Sequence, residues 1–215
     1  MILERLTVGP FAENCYVVGV PPAVAIVDPG GESDRLFALV ERRGWTPEAI
    51  LLTHGHLDHI AHCAHVAERW NLDLWVHPDD VLLLRSKQMP AFWDLLEARP
   101  CPEPSFFFED GGVWTGAGLT LRVLHTPGHT PGGVCLIDEA SRSILAGDTL
   151  FHRGIGRTDL PGGDSATLER SIREKLFALP GDWKVWPGHG PETSLEDERR
   201  ENPFFGARAG RWGTI

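Results

Sequence analysis

The sequence lacks any cluster of basic residues. Its 215 residues include 20 Lys and Arg against 30 Asp and Glu, which gives a formal net charge of −10. Proteins that bind the phosphate backbone of nucleic acids usually carry a basic patch, and none is visible along this chain. The charge balance therefore predicts that nucleic acid is not a partner.

Long apolar runs and cysteine motifs are also missing. The longest apolar run is Ala23–Val27, far shorter than the roughly 20 residues that span a bilayer. The first residues contain no basic segment followed by an apolar stretch, so we expect neither a signal peptide nor a membrane partner. The four cysteines, at 15, 63, 101 and 135, form no CxxC pair. We expect free thiols in a reducing cytoplasm.

Hydrophobic residues make up 42% of the chain and charged residues 23%, which is typical of a globular enzyme. A chain of this length can bury a core without disulfides or a structural metal. A metal bound here would therefore serve chemistry rather than folding.

Segments of strand-like and helix-like pattern alternate along the chain. The predicted strands are Leu3–Val8, Cys15–Val20, Ala23–Val27, Ile50–Thr53, Leu72–Val76, Leu119–Leu124, Val134–Asp138, Ser143–Leu145 and Lys184–Trp186. The predicted helices are Ser33–Arg43, Asp58–Trp70, Pro78–Ser86, Asp164–Leu179 and Leu195–Glu201. Most strands come in pairs, with helices inserted between them. This order predicts an α/β (α+β) fold of two sheets covered by helices on their outer faces.

The segment THGHLDH, at 53–59, holds three imidazoles and a carboxylate within six residues. It directly follows a predicted strand and opens a predicted helix. The loop lets His54 and His56 converge, while Asp58 and His59 project from the first helical turn. Ligand-type residues at this spacing, beside a glycine, predict a metal site.

Three further strand ends each deliver His or Asp onto a turn that contains glycine. They are HTPGHTPG with His129, AGDTLF with Asp148, and WPGHGP with His189. A metal site needs ligands that are rigidly aimed but not crowded, and such turns provide both. Seven nitrogen and oxygen ligands are too many for one tetrahedral ion, so they predict two ions that share a ligand.

This set of motifs resembles the metallo-β-lactamase superfamily, whose fold is a four-layer αββα sandwich. More narrowly, VDPGG, THGHLDH, HTPGHTPG, AGDTLF and PGHGPET are similar to the glyoxalase II branch, the hydroxyacylglutathione hydrolases. The resemblance implies that His54, His56 and His129 hold one metal, and that Asp58, His59 and His189 hold the second. It implies that Asp148 bridges the two and that Asp58 also orients a metal-bridging hydroxide.

The resemblance further implies hydrolysis of a small-molecule thioester, such as S-lactoylglutathione, with two divalent ions. Zinc is the expected metal, and iron or manganese would suit the same ligands. The larger glyoxalase II enzymes carry a helical C-terminal domain that supplies part of the glutathione site. Only 26 residues follow His189, so we expect a single metallo-β-lactamase-like domain over residues 1–215 without that addition. Recognition of glutathione and the oligomeric state stay open.

Five other polar residues have predicted roles or positions. Asp28, in the VDPGG turn, and His125 are expected to support ligands from behind by hydrogen bonds. Arg157 stands where glyoxalase II enzymes have a basic residue near the substrate, and it could bind a carboxylate. His62 and His65, by contrast, are expected to be ordinary residues on a helix surface.

Three alternative functions share this fold. A persulfide dioxygenase has a similar GRTD loop but uses a single iron, whereas the ligand set here is complete for two metals. A lactonase or a β-lactamase would use the same hydroxide on another acyl group, although the lone tyrosine, Tyr16, lies far in sequence from every motif. Nucleic-acid processing members of the superfamily carry basic surfaces that this chain lacks, and a non-enzymatic binding module leaves the hydrolytic ligand set unexplained.

Overall fold

Two six-stranded sheets form the centre of the computed structural model, which describes residues 1–205. The first six strands are β1 (Ile2–Val8), β2 (Glu13–Val20), β3 (Ala23–Val27), β4 (Thr46–Leu51), β5 (Asp73–Val76) and β6 (Phe106–Phe107). The others are β7 (Val113–Gly116), β8 (Leu119–His125), β9 (Val134–Asp138), β10 (Ser143–Gly147), β11 (Leu150–Phe151), β12 (Gly154–Ile155), β13 (Lys184–Pro187) and β14 (Thr193–Ser194).

Sheet one has the order β1-β2-β3-β4-β5-β6, and sheet two has the order β14-β13-β10-β9-β8-β7. Strands β11 and β12 form a separate small hairpin. Strand β4 runs parallel to β3 and β5, and β10 runs parallel to β13. Parallel strands end at the same edge of a sheet, so the turns after them are neighbours in space.

Within residues 1–205, six α-helices accompany the sheets. They are α1 (Ser33–Arg43), α2 (Leu57–Ile60), α3 (Cys63–Trp70), α4 (Val81–Arg85), α5 (Ser165–Arg170) and α6 (Leu195–Glu201). A 3₁₀ turn, Pro78–Asp80, precedes α4, and a π-helical segment, Ser171–Leu176, continues α5.

Three apolar layers show how these elements stack. Successive side chains of a strand point to opposite faces. Val18 and Leu136 accordingly meet between the two sheets, whereas Val17 faces the layer that contains α1 and α3. Ile137 packs against Leu168 of α5 on the outer face of sheet two. The order helix, sheet, sheet, helix is the predicted αββα sandwich, and the fold prediction is confirmed.

The predicted helix Asp58–Trp70 was wrong in its middle. It is divided into α2 and α3 at His62, whose φ of −106° and ψ of 11° leave the helical range. The His62 backbone N–H donates to the Pro29 carbonyl, and its ring lies between Ser33 and the Leu96 carbonyl. His62 is therefore buried, and the prediction of a surface residue was wrong for it. His65, half-buried, stacks on the His62 ring.

All four cysteines are free thiols, as predicted from their spacing. No helix within residues 1–205 is long and apolar enough to cross a membrane. The last ten positions of the predicted domain, 206–215, lie outside the described residues.

Candidate metal centre

The structure brings the seven predicted ligands together at one edge of the two sheets. His54 and His56 follow β4, and Asp58 and His59 lie on α2. The remaining ligands, His129, Asp148 and His189, follow β8, β10 and β13. These residues are up to 135 positions apart in sequence. Strands β10 and β13 are parallel, so the turns of Asp148 and His189 are neighbours, and β8 and β10 both run antiparallel to β9, so the turn of His129 lies at the same edge.

The first group is formed by His54, His56 and His129, whose ligand-type nitrogens lie within 4.8 Å of one another. His56 Nδ1 is 2.8 Å from His129 Nε2. His54 Nε2 is buried and, among the described residues, has no hydrogen-bond partner. A buried polar atom without a partner is costly unless something else satisfies it, and a cation facing these nitrogens would do so.

The second group is formed by Asp58, His59 and His189, with the same 4.8 Å limit between ligand atoms. His189 Nε2 lies 3.3 Å from Asp58 Oδ2 and 3.3 Å from His59 Nε2. Two nitrogens and one carboxylate oxygen suit zinc, iron or manganese.

Asp148 lies between the two groups. Its Oδ2 is 3.4 Å from His129 Nε2, and its Oδ1 is 3.4 Å from His59 Nε2. Burial raises the pKa of Asp148, but the neighbouring imidazoles of His59, His129 and His189 more than offset this and hold the pKa below its usual range. Its Oδ1 is buried without a hydrogen-bond partner in the described part of the chain, which fits a carboxylate that contacts a cation.

The protonation of the first group also fits a cation. Burial lowers the pKa of His54 well below its usual value, with His59 adding to the effect. Burial and the neighbouring His129 lower the pKa of His56 to about 4. Both imidazoles are therefore neutral near pH 7, and a neutral imidazole is the form that ligates metal.

Gly188 allows the His189 turn to approach the other ligands. A Cβ atom on Gly188 would lie 2.2 Å from Asp148 Oδ1 and 2.7 Å from His59 Cε1. Any larger residue would push the turn away. The glycine beside His189 is thus required by close approach rather than by turn conformation alone.

Asp28 supports the centre from behind. Its Oδ1 accepts a hydrogen bond of 2.7 Å from the Thr53 backbone N–H, and its Oδ2 accepts one from the Thr53 hydroxyl. The same Oδ2 lies 3.1 Å from His59 Nδ1. Asp28 therefore lies where the sequence analysis places a supporting residue, in contact with His59 and with the residue before His54.

We expect Asp28→Asn to weaken metal binding about 10- to 100-fold, because the amide has a single acceptor oxygen and cannot accept both from the Thr53 backbone N–H, now on Oδ1, and from His59, now on Oδ2. Competition with a chromogenic chelator measures the affinity. Asp34→Ala, which removes an exposed carboxylate from α1, is the matched control and should leave the affinity unchanged. Equal affinities for the Asp28 variant and the control would contradict the supporting role.

Asp80, which the sequence pattern does not predict as part of the site, is fully buried. Its Oδ2 accepts from the Gly55 N–H at 2.8 Å and the Thr130 hydroxyl at 2.8 Å, and its Oδ1 accepts from the Gly132 N–H at 2.6 Å. Asp80 thus ties the loop of His54 and His56 to the loop of His129. Its signal in the sequence, an acidic residue at a predicted helix start, is also typical of exposed positions.

Glu13 was missed as well. Its carboxylate is 1% exposed and lies 3.7 Å from His59 Nδ1, on the same side of that ring as Asp28. Burial raises the pKa of Glu13 well above its usual value. The position begins β2, where an alternating strand pattern gives no sign of a buried acid.

Two other predicted residues have contacts of a different kind. His125 Nε2 lies 2.8 Å from the Pro131 carbonyl oxygen, and the ring stacks on His77. His125 thus braces the loop that follows His129 rather than a ligand side chain. The Arg157 carbonyl oxygen lies 2.7 Å from His129 Nδ1, and the Arg157 guanidinium forms two 2.7 Å contacts with the Asp159 carboxylate.

A cavity of about 800 Å³ opens over the centre. Five of the seven predicted ligands line it: His56, Asp58, His129, Asp148 and His189. Apolar side chains such as Phe11, Leu83 and Phe151 form much of the wall. The volume suits a small organic molecule.

Comparison with known proteins agrees with this geometry. The family model described as the metallo-beta-lactamase superfamily matches residues 8–189, a span that contains all seven predicted ligands. The hydroxyacylglutathione hydrolase GloC of Haemophilus influenzae is 34% identical over 97% of this chain and 100% of its own length. The probable metallo-hydrolase YqgX of Bacillus subtilis is 39% identical over 94% of this chain and 96% of its own.

Solved structures of similar proteins also superpose on this fold. The B3 metallo-beta-lactamase BLEG-1 superposes with a TM-score of 0.87 at 34% identity, over 94% of this chain and 99% of that one. TTHA1623, in a di-iron-bound form, has a TM-score of 0.86 at 38% identity, over 94% of this chain and 100% of that one.

Proposed function

The chain belongs to the metallo-beta-lactamase superfamily, and from this premise we propose that it is a binuclear metal-dependent hydrolase of thioesters such as S-lactoylglutathione. The observation that carries the proposal is the convergence of seven histidine and aspartate side chains, five of which line one cavity. All seven, with the cavity, lie within residues 11–189, so the proposal needs no further domain.

Two divalent ions fit the two groups of ligands. His54, His56 and His129 would hold the first, Asp58, His59 and His189 the second, and Asp148 would contact both. Zinc is the proposed metal, with iron or manganese as alternatives, since the ligands suit all three. When bound, such ions lower the pKa of water toward neutrality and polarise a substrate carbonyl.

The protein's own groups then orient the reactants. Asp58 Oδ2 faces the cavity beside His189 Nε2, so it can accept a hydrogen bond from the attacking water and aim it. The apolar wall keeps bulk water from the reacting carbonyl, which strengthens the electrostatic interactions in the site. The chain needs no strong general acid, because a thiolate leaves without much protonation.

The second candidate function is hydrolysis of a β-lactam. It is favoured by the similarity to BLEG-1, at 34% identity. A lactonase is less favoured, because the hydroxyl of the lone tyrosine, Tyr16, is buried and donates to the Pro187 carbonyl at 2.7 Å. The persulfide dioxygenase alternative leaves the second group, Asp58, His59 and His189, without a use. The cytoplasmic location stays a prediction from cysteine usage.

Metal removal and a substrate panel test the proposal. We expect dialysis against a strong chelator to abolish hydrolysis and two equivalents of zinc per chain to restore it. Elemental analysis counts the metal, and the panel compares S-lactoylglutathione, a lactone, a β-lactam and a persulfide with oxygen uptake. Thioester turnover by the metal-free protein, or turnover confined to another substrate, would overturn the proposal.

A further inference from the structure

The cavity over the metal centre is lined by two cationic side chains, Arg157 and Lys87. The guanidinium of Arg157 is paired with the Asp159 carboxylate through two contacts of 2.7 Å. Within residues 1–205, by contrast, Lys87 forms no ion pair. Lys87 is therefore the cation of this cavity whose charge is not balanced by a carboxylate of the chain.

The position of Lys87 is fixed by its neighbours. Its Nζ lies 5.6 Å from the centroid of the Trp93 ring, a cation–π distance. Trp93 Nε1 donates to the Gln88 carbonyl at 2.7 Å, and Gln88 Nε2 donates to the Gly55 carbonyl at 2.7 Å. Because Gly55 separates His54 from His56, the segment that carries Lys87 is tied directly to a ligand loop.

The same segment presents apolar surface to the cavity. Leu82 is 78% exposed and Met89 is 40% exposed, and both line the cavity with Leu83. Large apolar side chains grouped at the mouth of a polar site are typical of a surface that a ligand covers. An unbalanced ammonium beside them selects a ligand with one apolar part and one anionic part.

We propose that Lys87 binds an anionic group on the non-reacting part of the substrate, while Leu82 and Met89 pack against the apolar part next to it. The inference rests on the proposed thioesterase function and narrows its substrates to anionic thioesters. Carboxylates and phosphates share the chemistry that an ammonium recognises, and the two are separated by experiment.

The test measures the metal-loaded enzyme on three lactoyl thioesters. The glutathione thioester carries carboxylates, the coenzyme A thioester carries phosphates, and the N-acetylcysteamine thioester is uncharged. We expect Lys87→Gln to raise KM about fivefold for an anionic thioester, with kcat nearly unchanged, because an exposed charge pair contributes about 1 kcal/mol to binding. Lys87→Arg should restore the KM. The anionic thioester with the larger change identifies the group that is bound.

Arg85→Gln is the matched control. It removes a cation two residues away, on α4, whose guanidinium pairs with Glu103 at 2.6 Å and does not line the cavity. It should leave all three KM values unchanged. If Lys87→Gln changes KM equally for charged and uncharged thioesters, or for neither, the inference fails while the proposed function stands. If the wild type hydrolyses none of the three, the proposed function itself fails.

Discussion

Asp148→Ala is expected to lose most of the bound metal and to reduce kcat/KM for a thioester by at least about a thousandfold. Asp148 has one oxygen 3.4 Å from His129 Nε2 of the first group and the other oxygen 3.4 Å from His59 Nε2 of the second group. Without it, neither group is complete and the two groups are no longer joined. Elemental analysis after gel filtration and initial rates measure the two losses.

Two further variants show whether the loss of metal and activity comes from the missing negative charge. Asp148→Asn keeps the shape but removes the charge, so a loss close to that of alanine shows that the negative charge is required. Asp73→Ala removes an exposed carboxylate at the start of β5 and should retain metal and activity. Circular dichroism separates a lost site from a lost fold. Activity near that of the wild type in Asp148→Ala would show that the bridging assignment is wrong.

Five of the seven predicted ligands stand in a turn that follows a strand, and each of the five has a glycine beside it, which makes them recognisable in the sequence: His54, His56, His129, Asp148 and His189. His129 and His189 are recognised in this way, although the other members of their groups lie 70 or more positions away in sequence. Such turns can be recognised because the alternating pattern shows where a strand ends, and the turn after a strand lies at the edge of the sheet.

The residues that hold those turns are harder to find. Asp80 contacts Gly55 and Thr130, which are 25 and 50 positions away, and His62 contacts Ser33 across 29. Each lies in a local pattern that is equally consistent with exposure. Their burial results from the packing of α1, α3 and the cavity wall. The ten residues around each position carry no pattern that predicts this packing.

The buried polar residues around the predicted ligands have a structural role. The ligand loops have few apolar side chains of their own, so buried polar contacts must fix their conformations. Asp28 fixes the loop after β4 from one side, and Asp80 fixes it from the other while also binding the loop after β8. The conformations of these two loops therefore depend on the hydrogen bonds that the two carboxylates accept.

Asp80→Ala is accordingly expected to destabilise the metal-free protein by about 3 kcal/mol, because it leaves the donors of Gly55, Thr130 and Gly132 buried without an acceptor. Burial raises the pKa of Asp80, so its ionised form carries a desolvation cost, but the three donated hydrogen bonds depend on its oxygens. For a chain of this size the change corresponds to a fall in Tm of about 6–12 °C. Thermal unfolding of the chelator-treated protein, followed by circular dichroism, measures it.

The neighbouring Asp79 supplies the matched control for this prediction. Its side chain is 58% exposed, so Asp79→Ala should change the free energy of unfolding by less than about 0.5 kcal/mol. Asp80→Ala should also weaken metal binding, because the loops of His56 and His129 are no longer held together, whereas Asp79→Ala should not. A metal-free Asp80→Ala protein as stable as the control would mean that the loops keep their conformation without the carboxylate, and that packing alone positions the ligands.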